Sequence, residues 1–203
     1  NAGNGMQKHP YAGITPFDFS SEDGGKAAGM YQSVVNVMYA YNLLAAMPEI
    51  DATKIGITGI SWGGITTTTT IGVDDRLKFA IPVYGCGYLD KSRTYFSTDY
   101  FTKSDQTIAW DPANFAVKAK IPVMYINNDS DAHFSVNSTS NTAAVTENGF
   151  MSIHHGLAHS HVHGYEIDQI YKFAADMFNT GTDRFMRIKN TVIDSNEMIV
   201  EYE

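Results

Sequence analysis

The sequence predicts an α/β protein, a mostly parallel sheet with helices on both faces. Three observations lead there. Short apolar runs at 54–58, 79–84, 121–126 and 150–154 alternate with segments of helical periodicity. The runs are bounded by glycine, proline or polar clusters, the punctuation of strands leaving a sheet. A serine, a pair of aspartates and a set of histidines each follow one of these runs, at the carboxyl ends where parallel sheets collect their reactive groups.

Residues 1–25 are glycine-rich and polar, carry Pro10 and Pro16, and read as loop. Over 26–47, Met30, Val34, Val37, Met38, Tyr41, Leu44 and Ala45 recur at helical spacing, and Pro48 stops that helix. The first strand, 54–58, leads through a tight turn into a helix over 64–71. Asp74-Asp75-Arg76 makes a polar corner before the second strand, 79–84, which Gly85 and Gly87 end. Residues 88–114 hold Tyr88, Tyr95, Phe96, Tyr100, Phe101 and Trp110 without clean periodicity, as in a substrate-covering insertion or a packed irregular loop. The third strand, 121–126, stops at the polar cluster Asn127-Asn128-Asp129-Ser130-Asp131. A short helix is expected over 138–146 and the fourth strand over 150–154. A histidine-rich loop follows, then a helix over 166–178 with Ile167, Ile170, Tyr171, Phe173 and Ala174 on its apolar side. Residues 198–202 read as the first strand of a further β segment, so the domains are expected at 1–180 and 181–203.

The turn after the first strand is the most informative motif. Gly59-Ile60-Ser61-Trp62-Gly63 sets a serine between two glycines where a strand enters a helix. Such a turn strains the serine backbone, and Gly59 and Gly63 are expected to remove the collisions a Cβ would make. The strain lifts the hydroxyl clear of the sheet to a helix N-terminus, where the Trp62 N–H faces an oxygen that becomes negative during acyl transfer. The run Thr66 to Thr70 would be a poor choice for an exposed helix, because its branched side chains lose rotamer freedom. It suits a helix pressed against a sheet.

A hydroxyl becomes a good nucleophile when a base takes its proton and an anion fixes that base. Asp129 and Asp131 are both candidates for the anion. For the base, His159 follows the fourth strand by a few residues, where a loop can swing its ring over Ser61, and His161 is next. The remaining histidines of the segment, His154, His155 and His163, raise the question of a metal, but no cysteine lies near and the spacing suits an extended loop. Neither a metal nor another cofactor is expected.

Bulk properties narrow the partners. The net charge of -8 argues against nucleic acid and against an anionic membrane surface, and no stretch reaches the length of a membrane span. At 203 residues with 43% hydrophobic content the chain can bury a sizeable core. Its single cysteine, Cys86, reads as a small buried residue at a strand end.

Gly56-Ile57-Thr58-Gly59-Ile60-Ser61-Trp62-Gly63-Gly64, Asp75-Arg76-Leu77, Val83-Tyr84-Gly85-Cys86-Gly87 and Trp110-Asp111-Pro112 together resemble the acetylxylan-esterase-like and prolyl-oligopeptidase-like branches of the α/β hydrolases. Ile121-Pro122-Val123 with the cluster up to Asp131 looks like that family's seventh strand and acid loop, and Ala158-His159-Ser160-His161 like its histidine loop. The resemblance spans 26–178. It implies an α/β-hydrolase fold, whose chain order is Ser, Asp, His. It places Asp131 at the acid position, with Asp129 as fallback, and makes the first histidine of the pair the base. One departure matters: in that fold the elbow follows the fifth of eight strands, and here a loop and a helix precede it. The resemblance therefore implies the C-terminal half of the fold, an internal piece of a longer esterase or one chain of a cleaved protein. The missing N-terminal half, in the same or a separate chain, would be its partner and would bring the second oxyanion donor.

The function expected is hydrolysis of a carboxylic ester through an acyl-serine intermediate, and the resemblance suggests a small acyl group, such as acetyl, on a carbohydrate. The aromatic residues from Tyr84 to Trp110 could stack sugars or simply pack a core. Two alternatives stand beside it: a serine peptidase of the prolyl-oligopeptidase kind, and a hydrolase-like scaffold whose site is idle.

Overall fold

Four short strands run parallel in the order β1 (Ile57–Ile60), β2 (Ala80–Val83), β3 (Val123–Asn128), β4 (Gly149–His154). This computed structural model describes residues 28–102, 109–194 and 197–203. The loop expected over 1–25, the first two residues of the helix expected from 26, and part of the irregular segment 88–114 lie outside the described residues.

Among the described residues the α-helices are α1 (Gly29–Ala45), α2 (Trp62–Thr70), α3 (Ala113–Ala116), α4 (Val136–Val145), α5 (His161–Tyr165) and α6 (Asp168–Asn179). The chain divides into two compact units, Asn1–Ile167 and Asp168–Glu203. The parallel sheet and every residue discussed as a candidate site belong to the first.

Register explains how the sheet is covered. Ile57 pairs with Ala80, and Ala80 with Val123, so these side chains point to one face together with Tyr125 two residues on. That face packs with Ile55, Ile71, Leu77, Ala119, Ile121 and Ala143. Each large side chain so buried contributes roughly 1.5–3 kcal/mol. β2 and β3 are buried along their whole length, on both faces, as expected of a parallel sheet.

All five threonines from Thr66 to Thr70 are buried on α2, which packs on β1 and β2. Four of the hydroxyls find carbonyls nearby: Thr66, Thr69 and Thr70 donate to the residue four positions back, and Thr68 donates to Gly85 O at 2.6 Å. Compact side chains that can satisfy their own polar group are what this position requires.

Element boundaries shift where side chains compete with the backbone. Lys54 was expected to open β1, but the Asp51 carboxylate accepts from the Thr53 N–H at 2.9 Å and its hydroxyl at 2.6 Å, which draws Ala52–Lys54 into a 3₁₀ turn, and β1 begins at Ile57. β3 runs two residues beyond its expected end. Asn127 and Asn128 are buried strand residues, because Asn127 Nδ2 donates to Phe134 O and Thr139 Oγ1 while Asn128 bonds the loop that follows. The histidine-rich loop contains α5, capped by Ser160, whose Oγ accepts from the His163 N–H at 3.1 Å.

In the second unit, α6 buries Ile170 and Phe173 but leaves Tyr171, expected on the apolar side, 59% exposed. Asp176 holds Arg184 by paired hydrogen bonds. The strand expected over 198–202 is the second of a hairpin: β5 (Ile188–Asp194) pairs antiparallel with β6 (Glu197–Tyr202). β5 is exposed along its whole length, so it has no buried face to write an alternation into the sequence, and its register is irregular between Ile188 and Asn190.

Candidate active site

β1 ends at Ile60, and Ser61 takes φ 58° and ψ −116°, a backbone region that costs a non-glycine residue energy. The turn is held from both sides. The Ser61 N–H donates to Val83 O at 2.9 Å, continuing the sheet, and its carbonyl accepts from the Ile65 N–H at 2.9 Å, starting α2. Its side chain caps nothing on α2, so Oγ is left for other work.

The glycines divide differently from expectation. A Cβ on Gly59 would lie 2.2 Å from Gly63 O, so Gly59 is sterically required. At Gly63 a Cβ would meet nothing within 4 Å among the described residues. The second required glycine is Gly64, whose Cβ would sit 2.7 Å from Val83 O and 2.8 Å from the Gly85 Cα. That pair of glycines lets the start of α2 lie against the end of β2.

Asp131 stands after β3 on a loop built by its neighbours. Asn128 Oδ1 accepts from the Ser130 N–H at 2.7 Å, and its Nδ2 donates to Asp131 Oδ2 at 3.2 Å. The other oxygen, Oδ1, accepts from the N–H groups of His133 at 2.7 Å and Phe134 at 2.8 Å. Burial by itself pushes this carboxyl up. The hydrogen bond from His159 and the N–H groups of Phe134 and His133 outweigh it, holding the carboxyl below its ordinary range and ionised.

The structure brings three of the expected residues into one chain of hydrogen bonds. His159 Nδ1 lies 2.6 Å from Asp131 Oδ2, and His159 Nε2 lies 2.9 Å from Ser61 Oγ. Because an ionised carboxylate only accepts, Nδ1 carries the proton, and Nε2 is left to accept from the serine hydroxyl. The alternates stand elsewhere. Asp129 pairs with the exposed ring of His155 at 2.5 Å, and His161 is exposed at the start of α5. Trp62 supplies the first backbone N–H of α2, beside Ser61.

Two neighbours escaped the sequence. Tyr84 stacks on His159 with ring centroids 4.6 Å apart and donates its hydroxyl to Ala158 O at 2.7 Å. His133 lies 5.3 Å from the His159 ring, and its Nδ1 is 2.8 Å from Thr94 Oγ1. Burial above all pushes the His133 imidazole toward its neutral form, the proximity of a second imidazole, His159, adds to this, and Asp131 only partly opposes it. Its place two residues after Asp131 was the available signal; Tyr84, in an apolar strand, reads simply as core.

The irregular segment closes around this group. Trp62 meets Phe96 and Tyr100 edge to face at 5.1 and 5.8 Å, and Tyr95 meets His133 at 5.3 Å. Phe96 and Phe101 are buried and serve packing, whereas Tyr95 is exposed and Tyr100 half-buried. Cys86 is buried, as expected, and its thiol is pushed up to about 12, by burial above all. Among the described residues no three His, Cys, Asp or Glu side chains converge as a metal site, and no helix is long and apolar enough to cross a membrane.

The model of the prolyl oligopeptidase family matches residues 25–181. No curated protein matches the chain. Among solved structures, the chain is similar to an acetyl xylan esterase from Paenibacillus sp. R4, with 17% identity and a TM-score of 0.63 over 73% of this chain and 53% of that one. It is similar to the Pyrococcus horikoshii acylaminoacyl peptidase, with 19% identity and a TM-score of 0.62 over 81% and 31%. Acetyl xylan esterase 1 from Thermoanaerobacterium sp. JW/SL YS485 shares 17% identity, with a TM-score of 0.61 over 87% and 60%. This structural likeness shows the fold, that of the α/β hydrolases. The chain spans between about a third and three fifths of the length of these structures.

Proposed function

The chain belongs to the prolyl oligopeptidase family of α/β serine hydrolases, and from that premise we propose that it is a carboxylic-ester hydrolase working through an acyl-serine intermediate. Its substrate is a small acyl ester, such as an acetyl group on a carbohydrate. One observation carries the assignment: Ser61 Oγ, His159 and Asp131 form a continuous hydrogen-bonded chain at 2.9 and 2.6 Å, with the serine on a positive-φ turn.

Ser61 Oγ attacks the ester carbonyl carbon while His159 Nε2 takes its proton. The oxygen that becomes negative is held by the Trp62 N–H, at the positive end of α2. Asp131 keeps Nδ1 protonated and stabilises the charged imidazole. His159 then passes the proton to the departing alkoxide, and an acyl-serine remains. A water, deprotonated by His159, attacks that ester, and the carboxylic acid leaves as Ser61 regains its proton. We propose that the second oxyanion donor lies outside the described residues.

A serine peptidase is the second reading. The family match and the likeness to an acylaminoacyl peptidase favour it. Turnover of p-nitrophenyl acetate by the complete protein, falling by about 10⁴-fold or more in Ser61→Ala, supports esterase chemistry. Preference for aminoacyl amides over acetate esters would pass the assignment to the peptidase. Failure of a fluorophosphonate to label Ser61 would leave a non-catalytic scaffold instead.

A further inference from the structure

Ser61 has a neighbour in the sheet that also takes a positive φ. Ile60 and Val83 are register partners at the ends of β1 and β2, so Ser61 and Tyr84 are the first residues beyond both strands. Tyr84 has φ 48° beside the 58° of Ser61. A bulky side chain in the left-handed region is a genuine outlier, held only where its surroundings determine it. The backbone is indeed fixed, because the Tyr84 N–H still donates to Ile126 O at 2.9 Å, as a strand residue would. The effect of the turn is to aim the ring under the histidine loop.

Three contacts define where that ring goes. It stacks on His159 at 4.6 Å with the planes 22° apart. Its hydroxyl donates to the carbonyl of Ala158, the residue immediately before His159, at 2.7 Å. Its edge lies under Gly164 of α5, where a Cβ would come 3.4 Å from Tyr84 Cε2 and 2.7 Å from Ile60 Cδ1. One side chain thus touches the base, the peptide preceding it and the helix following it.

Resting on the assignment of His159 as base, we propose that Tyr84 is its positioning residue. The ring is the floor on which the imidazole turns or stays, and the hydroxyl anchors the loop through Ala158, so that Nε2 remains within reach of Ser61. Asp131 and Ser61 hold the two nitrogens of the imidazole in line, which leaves the ring free to turn about that line; Tyr84 faces it at 4.6 Å, and Phe134 lies parallel to it only at 6.0 Å. A stacked face removes that freedom. The hydroxyl is suited to an anchor that must always donate: burial first, and then the charge of Asp131, push it up to about 12, so it keeps its proton wherever an esterase works.

The test separates Tyr84→Phe, which keeps the floor, from Tyr84→Leu, which removes floor and anchor. In the complete protein, sites are counted by fluorophosphonate titration, and kcat per titrated site is measured with p-nitrophenyl acetate. Tyr84→Phe should lower kcat about three- to tenfold with KM unchanged, and Tyr84→Leu about a hundredfold, the cost of a misplaced reacting group. Proton NMR of the His159 Nδ1–H gives a readout independent of turnover: its signal should persist in wild type and Tyr84→Phe and broaden or vanish in Tyr84→Leu. A Tyr84→Leu protein that unfolds more easily but keeps wild-type kcat per site and an unchanged Nδ1–H signal would overturn the proposal, leaving Tyr84 as core. Should wild type neither turn over ester nor take the label, the esterase assignment falls by itself, while the positioning role is still decided by the NMR signal.

Discussion

Two carboxylate–imidazole pairs stand at one edge of the sheet, and their carboxylates are two residues apart. Asp131 holds His159 at 2.6 Å, and Asp129 holds His155 at 2.5 Å. Pairwise geometry does not distinguish them. What differs is everything around the pair. The Asp131 side chain is 1% exposed and that of His159 28%, and the carboxylate also accepts two backbone N–H groups and an asparagine amide. The His155 side chain is 96% exposed, and a further donor to Asp129, the Gly156 N–H, lies at a long 3.4 Å. A buried carboxylate fixed by several donors can orient a ring, whereas an exposed one shares its partner with water and salt. The lesson is that an Asp–His contact becomes able to fix an imidazole through its third and fourth partners.

The sharpest way to break the comparison is to neutralise each carboxylate in turn. Asp131→Asn should cut kcat for p-nitrophenyl acetate by about 10⁴-fold, because the amide favours the wrong imidazole tautomer. A loss below about tenfold would mean that Asp131 is not the acid.

Asn128 is the next lever, because it belongs to the third-partner layer of one pair and not of the other. Asn128→Ala removes the amide on Asp131 Oδ2 and the acceptor for the Ser130 N–H. A hydrogen bond to a charged group is worth about 1.5–3 kcal/mol, so kcat/KM should fall roughly ten- to a hundredfold. Unchanged kinetics would show that the two N–H groups on Oδ1 suffice.

Much of this site was legible in residues, and the failures are instructive. Ser61 announced itself because only a strained strand-to-helix turn explains a serine among glycines there. Gly63 was a plausible second requirement, but the steric need falls one residue later, on Gly64, since it depends on how closely β2 approaches α2 and not on distance from the serine in the chain. Asp129 and Asp131 could not be separated by spacing, because what distinguishes them is burial, a property of the folded loop. Asn127 and Asn128 read as turn formers; they stay in the strand because partners distant in sequence, Phe134 and Thr139 among them, satisfy their amides. Tyr84 was hidden by its own type, since an aromatic residue in an apolar strand is the commonest kind of core residue. The sheet itself was visible as four apolar runs, since parallel strands are buried on both faces and need no alternation.

The smallest expected effect lies with the exposed pair, where pH separates the two pairs more cleanly than rate does. The hydrogen bond from His155 holds the Asp129 carboxyl below its ordinary 3.8, and Asp129 raises His155 above its ordinary 6.5. A lowered acid contributes stability above its unfolded value and loses it as pH falls through the native one. A raised base contributes below its unfolded value and loses it as pH rises through the native one. The Asp129–His155 pair therefore contributes only inside a window, fully between 3.8 and 6.5, fading on both sides. Asp131, held below 3.8, loses its contribution in acid alone. Asp129→Asn should thus leave kcat/KM within about twofold of wild type at neutral pH. Its slight loss in Tm should be largest near pH 5 to 6, roughly, and vanish in high salt, as exposed pairs do. Melting curves across pH, with and without salt, check this; a fall in kcat matching that of Asp131→Asn would show that burial does not separate the two carboxylates.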